Sequence, residues 1–336
     1  MEILFALVVV VTVAFAFVNG FHDAGVTVGN AVVSRALTPR IAMTLAAVFN
    51  FVGALLGLGI AVTVAENIIE FPHQPGDLLS ILLAGMAAAT LWGIVTYVVA
   101  IPVSSTYSLV GGVLGSGLAY GAHADLASLM LRLVVPLLTV PIIVMGISAL
   151  CTAVLSRLAA GSAPKPLFRR SRAAGAVFTG LLSLGHGIQD AQKSCAILML
   201  AIVAYQGARF TDGDPFEVTW EVRILVATAL AVGTLVSGWR VARTVSRRIA
   251  LLDPFKSAIA DGVSSVALLV SALTVSVPVS LVYTVVGSNL GTQFAGRPGV
   301  IRGRFLTPVL AIWVLGIPAP AVLGALFAGG LMLLGV

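Results

Sequence analysis

The side chains able to do chemistry fall in four short interruptions of an otherwise apolar chain. The first is Asn19-Gly20-Phe21-His22-Asp23, between the apolar runs 3–18 and 24–34. The second is Gly185-His186-Gly187-Ile188-Gln189-Asp190-Ala191-Gln192-Lys193. A charge held at mid-bilayer depth costs at least about 2.5 kcal/mol, so Asp23 and Asp190 need a partner or a task. His22 and Asp23 could pair as an interfacial anchor, but ionisable residues inside a membrane are functional by default. Asp190 and Lys193, three apart, fit a helical ion pair and direct ligand contact by the lysine equally well. The stretch 3–34 is long for one straight crossing. It predicts two helical pieces around a break at 19–23, with an equivalent break in the second half.

The third and fourth interruptions are Pro102-Val103-Ser104-Ser105-Thr106 and Pro278-Val279-Ser280. Proline ends the preceding helix and puts the hydroxyls into the first turn of the next. A helix that starts inside the membrane presents free N–H groups and a positive dipole end, which together suit an anion. Capping alone would account for one such element. Two of them, aimed inward from opposite faces, would bring two positive helix ends to one midplane point and suit a small tetrahedral oxyanion. The carboxylates then either hold a coupling cation or proton, or accept a hydrogen bond from a protonated oxyanion. Phosphate keeps a proton near neutral pH and sulfate does not, so the second answer favours phosphate. The substrate-binding candidates are therefore Asp23, Ser104, Ser105, Thr106, Asp190 and Ser280. The coupling-ion candidates are His22, Asp23, Gln189 and Asp190, with Asn19, Lys193 and Asn289 in supporting positions.

The elements that position these residues follow from composition. Of 336 residues, 59% are hydrophobic and 10% charged, against about 25% charged in soluble domains, and mean hydropathy is +1.09. This is an all-α polytopic membrane protein. Soluble enzyme folds are excluded, as are porin-like barrels, whose alternating strands give no long apolar runs. The +6 balance reflects basic residues clustered in short loops, which reports orientation and not nucleic-acid binding. Cys151 and Cys195 lie in apolar stretches and form no disulfide framework. The first apolar run lacks a basic leader and reads as a retained helix. There is no Walker loop, no His-Glu-x-x-His motif and no Rossmann glycine pattern. The expectation is no enzyme, no cofactor and no resident metal. An intramembrane enzyme using His22 or His186 with a serine would not need duplicated motifs.

Basic loops placed inside fix a topology. Residues 1–156 form one membrane half, 157–173 a basic cytoplasmic linker, and 174–336 a second half running in the opposite sense, with both termini outside. The acidic loops near 63–77 and 208–220 are external. A duplication appears independently. Pro102-Val103-Ser104 with Tyr107, Val110, Gly111, Leu114 and Gly115 recurs in register as Pro278-Val279-Ser280 with Tyr283, Val286, Gly287, Leu290 and Gly291. Oppositely oriented repeats are the layout of many secondary transporters.

Together these motifs resemble the inorganic phosphate transporter (PiT) family, of the bacterial low-affinity permease type, over nearly the whole chain. The resemblance implies two inverted-topology repeats with broken or re-entrant half-helices, about ten to twelve membrane segments, a homodimer, and a multi-pass place in the plasma membrane. It also implies symport of phosphate with H+ or Na+, in some members as a metal–phosphate complex, so that a divalent metal would be part of the substrate. The Phe-His-Asp form looks more like the proton-coupled bacterial members. Four features depart from the family pattern. Gly25 replaces a usual Asn, Gln189 stands where Asn precedes the second Asp, and Tyr107 replaces His or Gln. Leu281-Val282 stands where hydroxyls are usual. These departures leave a sulfate or other oxyanion permease as the alternative, with an anion channel behind it.

Overall fold

Without water in the bilayer core, backbone polar groups must be satisfied inside helices or closed barrels, and this chain uses helices. The computed structural model describes residues 1–57, 75–123, 126–207, 218–275, 279–295 and 301–335. The long helices are α1 (Glu2–Val33), α2 (Pro39–Leu56), α3 (Pro75–Val98), α4 (Ser105–Ala119), α5 (Val135–Leu158), α6 (Pro164–Tyr205), α7 (Trp220–Leu235), α8 (Pro254–Val270), α9 (Leu281–Phe294), α10 (Gly303–Val314) and α11 (Pro318–Leu333). Five helices among the described residues are long and apolar enough to cross a bilayer, and up to seven spans result when each of two bent pairs counts as one. α6 is not among the five, because its middle carries Gln189, Asp190, Gln192 and Lys193. With α6 and the short helices α4 and α9, the described segments number ten, within the expected range. At 15 and 14 residues, α4 and α9 rise only about 21–23 Å, too little to cross a hydrocarbon core of about 30 Å. They are half-helices.

Polarity is distributed as lipid requires. Leu333 and Leu326 are 91% and 66% exposed, whereas Lys193 and Asp190 are 1% and 4% exposed.

The expected breaks at 19–23 and 185–193 are not there. α1 and α6 run unbroken through both motifs, over 32 and 42 residues. Their glycines are contact points instead. A Cβ on Gly20 would collide with the Leu230 carbonyl on α7, and one on Gly187 with the Asn50 carbonyl on α2. The chain breaks at the Pro-Val-Ser elements. Between α3 and α4, Ala100 adopts a left-handed φ of 59°. Pro278 lies outside the described residues, and α9 begins after Ser280. The 157–173 segment holds both a helix end and a helix start. α5 ends at Leu158 and α6 starts at Pro164, so Arg169, Arg170 and Arg172 are helical. Arg172 Nε donates to the Ser34 carbonyl at 2.9 Å and ties α6 to the end of α1. The acidic loops at 63–77 and 208–220 lie largely outside the described residues.

The close approaches repeat with the halves exchanged. Gly20 (α1) abuts Leu230 (α7), and Gly187 (α6) abuts Asn50 (α2). Gly233 (α7) abuts Phe17 (α1), and Gly53 (α2) abuts Leu184 (α6). Gly111 and Gly115 on α4 meet the carbonyls of Ile317 and Ala321 at the start of α11. Gly287 and Gly291 on α9 meet those of Pro141 and Met145 on α5. Small residues let helix backbones approach closely in lipid, and here they set one packing pattern twice.

Candidate functional site

α1 and α6 pack side by side, and their polar motifs face each other. His22 Nδ1 lies 2.8 Å from Asp23 Oδ1. Across the interface, Asn19 Nδ2 donates to Asp190 Oδ2 at 2.9 Å. The residue that matches Asn19 in the second half, His186, sits between the carboxylates. Its Nε2 is 3.3 Å from Asp190 Oδ2 and 3.7 Å from Asp23 Oδ2.

The hydrogen-bond chain behind His186 fixes its tautomer. The Thr234 hydroxyl donates to the Leu230 carbonyl at 2.9 Å. Its one hydrogen is then used, so it must accept the 2.8 Å bond from Asn50 Nδ2. That orientation leaves Asn50 Oδ1 facing His186 Nδ1 at 3.0 Å, so Nδ1 carries the hydrogen. Nε2 therefore presents either a lone pair or a second N–H to Asp23 and Asp190. With the lone pair, Asp23, His186 and Asp190 offer three ligand atoms within 4.8 Å of one another, a spacing that could hold a cation. With the second N–H, His186 is itself the positive charge between them.

The network continues at the start of α4. Ser104 is the N-cap, its Oγ accepting the Tyr107 N–H at 3.4 Å. Ser105 and Thr106 follow in the first turn and meet α6. Ser105 Oγ donates to Asp190 Oδ2 at 3.0 Å. Lys193 Nζ reaches Asp190 Oδ1 at 2.9 Å, Ser105 Oγ at 2.8 Å and Thr106 Oγ1 at 3.1 Å. In the second half, Ser280 caps α9 in the same way, accepting from Tyr283 N–H at 3.3 Å. The two helix starts converge. Tyr107 and Tyr283, equivalent residues of the first turns, meet edge to face with ring centroids 5.2 Å apart. Beside them, Phe15, Asn19, His22, Asp23, Val103 and Ser105 help line a cavity of about 20 Å³. That is room on the scale of one water, so a tetrahedral oxyanion enters only if side chains or α4 move.

Thus the structure gathers Asn19, His22, Asp23, Ser105, Thr106, Asp190 and Lys193 into one network, with Ser104 and Ser280 capping the helices that frame it. Gln189 is occupied elsewhere: Nε2 donates to the Leu268 carbonyl at 2.9 Å and Oε1 accepts from Val279 N–H at 2.8 Å, which pins the start of α9 to α6. Asn289 belongs to a separate cluster. Asn30 Nδ2 donates to Asp261 Oδ1 and Asn289 Oδ1, each at 2.8 Å, about 10 Å along α1 from Asp23. Asn50, Thr234 and His186 were absent from the sequence-derived set. Asn50 carried a readable signal, being the lone amide in the apolar run Ala46–Gly53.

The phosphate transporter family model matches this chain twice, over residues 19–178 and 163–324, consistent with the duplicated packing. A probable low-affinity inorganic phosphate transporter of Bacillus subtilis is 30% identical over 325 residues, covering 96% of each chain. One of Rhizobium meliloti is 32% identical over 321 residues, covering 95% of this chain and 93% of its own. One of Mycobacterium tuberculosis is 31% identical over 329 residues, covering 97% and 77%. A solved structure described as the sodium-dependent phosphate transporter shares the fold, with a TM-score of 0.85, 21% identity, and coverage of 99% of this chain and 100% of that one.

Proposed function

Since the chain belongs to the phosphate transporter family, we propose that it moves inorganic phosphate across the membrane by symport with H+ or Na+, in alternating access around the starts of α4 and α9. The observation that carries this reading is the Asp190 carboxylate. It accepts from Asn19, from Ser105 on the anion side and from Lys193, and it faces His186 on the cation side. One buried group thus feels both co-substrates.

Phosphate binds where the first-turn N–H groups and the Ser105, Thr106 and Ser280 hydroxyls donate. The coupling cation takes the place between Asp23, His186 and Asp190. If it is a proton, it resides on His186 Nε2. If it is Na+, Nε2 and the two carboxylates ligate it. Either cation offsets the charge of the anion, so the loaded site crosses more easily than the anion alone. A divalent metal can accompany phosphate as part of the substrate.

The exchanged packing supports two halves inverted in the bilayer, with 1–156 and 174–336 as the repeats, the basic 157–173 segment cytoplasmic and both termini outside. The protein is read as a plasma-membrane homodimer. The test is uptake of labelled phosphate in proteoliposomes under imposed proton or sodium gradients. Accumulation that follows one gradient supports symport, and uptake independent of both removes it. Equal uptake of sulfate would favour the broader oxyanion permease instead.

A further inference from the structure

Lys193 breaks the symmetry of the site. In the register that matches Gly20 with Gly187 and Asp23 with Asp190, its counterpart is Val26. It is nevertheless buried, at 1% exposure, in the middle of a membrane helix. An ammonium group has three hydrogens, and this one has three acceptors: Asp190 Oδ1, Ser105 Oγ and Thr106 Oγ1. An ion pair serving α6 alone would end at Asp190. This one extends to two hydroxyls on another segment, the two that open the anion-binding helix α4. Removing a lysine and an aspartate from water costs several kcal/mol per ion, and the second half of the molecule carries that load where the first half carries a valine.

We propose that the Lys193 ammonium is a resident cation of the transport site. It neutralises Asp190 when the site is empty and shifts its charge to phosphate when the anion arrives, so that one coupling cation fewer has to be recruited from solution. The inference rests on the phosphate reading above. The geometry lets the shift happen with little motion, because Nζ already lies between the carboxylate and the α4 hydroxyls. The incoming anion replaces Ser105 and Thr106 as acceptor, and those hydroxyls turn their hydrogens toward it. Two coupling elements then act in one site: a fixed charge on a flexible stem, and an exchangeable cation between Asp23, His186 and Asp190.

The test measures inorganic phosphate binding to the purified full-length protein while H+ or Na+ activity is varied, with choline keeping ionic strength constant. The readout is the slope of log affinity against log cation activity. The Lys193→Met variant must recruit the missing charge, so its slope rises by about one ion per phosphate. A tenfold fall in cation activity then weakens its binding about tenfold more than in the parent. Lys193→Arg keeps the parental slope. Asp190→Asn frees the ammonium for the anion and lowers the slope by about one. Lys193→Gln keeps hydrogen-bond donors but not the charge, and touches no ligand of the exchangeable cation. It decides the matter if Lys193→Met fails to give monodisperse protein: its slope also rises by about one, and a parental slope overturns the proposal. A parental slope in Lys193→Met, at any affinity, overturns the proposal, as does an unchanged slope in Asp190→Asn. Absence of phosphate binding by the parent under every cation condition would instead refute the phosphate reading.

Discussion

Replacing Asn50 by leucine should damage cation coupling without touching any residue placed around phosphate. The side chain is fully buried and nearly isosteric with leucine, so packing changes little. What disappears is the acceptor 3.0 Å from His186 Nδ1 and the donor to Thr234. A buried N–H left unpaired costs about 1–3 kcal/mol, enough to release the imidazole from the orientation that aims Nε2 at both carboxylates. Losing a partner that orients a cation ligand typically costs about 10–100-fold in affinity. The expected result is a half-saturating concentration of coupling cation raised about 10–100-fold, with uptake at saturating cation close to the parental rate. The assay is initial-rate phosphate uptake in proteoliposomes at a series of cation activities. Thr234→Val, which lets the Asn50 amide turn over, should shift the same curve in the same direction by less. If Asn50→Leu gives the parental cation curve, or loses phosphate affinity with the cation curve unchanged, His186 is not positioned as argued.

Asp23→Asn and Asp190→Asn should each abolish gradient-driven uptake while the protein remains monodisperse in detergent; near-normal uptake by either would make that carboxylate structural. Ser105→Ala removes a hydrogen bond to a charged group, an interaction of about 1.5–3 kcal/mol, and should raise the half-saturating phosphate concentration about 10–150-fold, read by uptake at saturating cation. Gly20→Ala and Gly187→Ala should each lower the melting temperature measured by fluorescence, because the added methyl meets a carbonyl across the helix interface and overpacking costs about 1–3 kcal/mol. Unequal effects of the two would argue against equivalent packing of the halves.

Much of the architecture was legible because its signals are local. Pro-Val-Ser ends one helix and caps the next wherever it stands, and its recurrence in register with Tyr, Val, Gly, Leu and Gly revealed both half-helices. The motif faces of α1 and α6 were legible too, since a carboxylate in an apolar run requires explanation. The continuity of those helices was not. Gly20 and Gly187 read as breaks in isolation, and only the carbonyls of Leu230 and Asn50 on other helices give them their role. The same non-locality hid the tautomer chain, in which Thr234, Asn50 and His186 come from three helices. His186 stands in the second motif, but only the fold shows that Asp190 faces it as well as Lys193. Asp261 shows its role only in the fold, where it accepts from Asn30 and shares that amide with Asn289.

Arsenate scatters X-rays anomalously and copies the shape and protonation of phosphate, so an anomalous difference map of the arsenate-bound protein tests the anion site most directly. One peak is expected between the first turns of α4 and α9, within hydrogen-bond reach of Ser105, Thr106 and Ser280. A peak on the far side of Asp23, or one reaching neither helix start, would contradict the account.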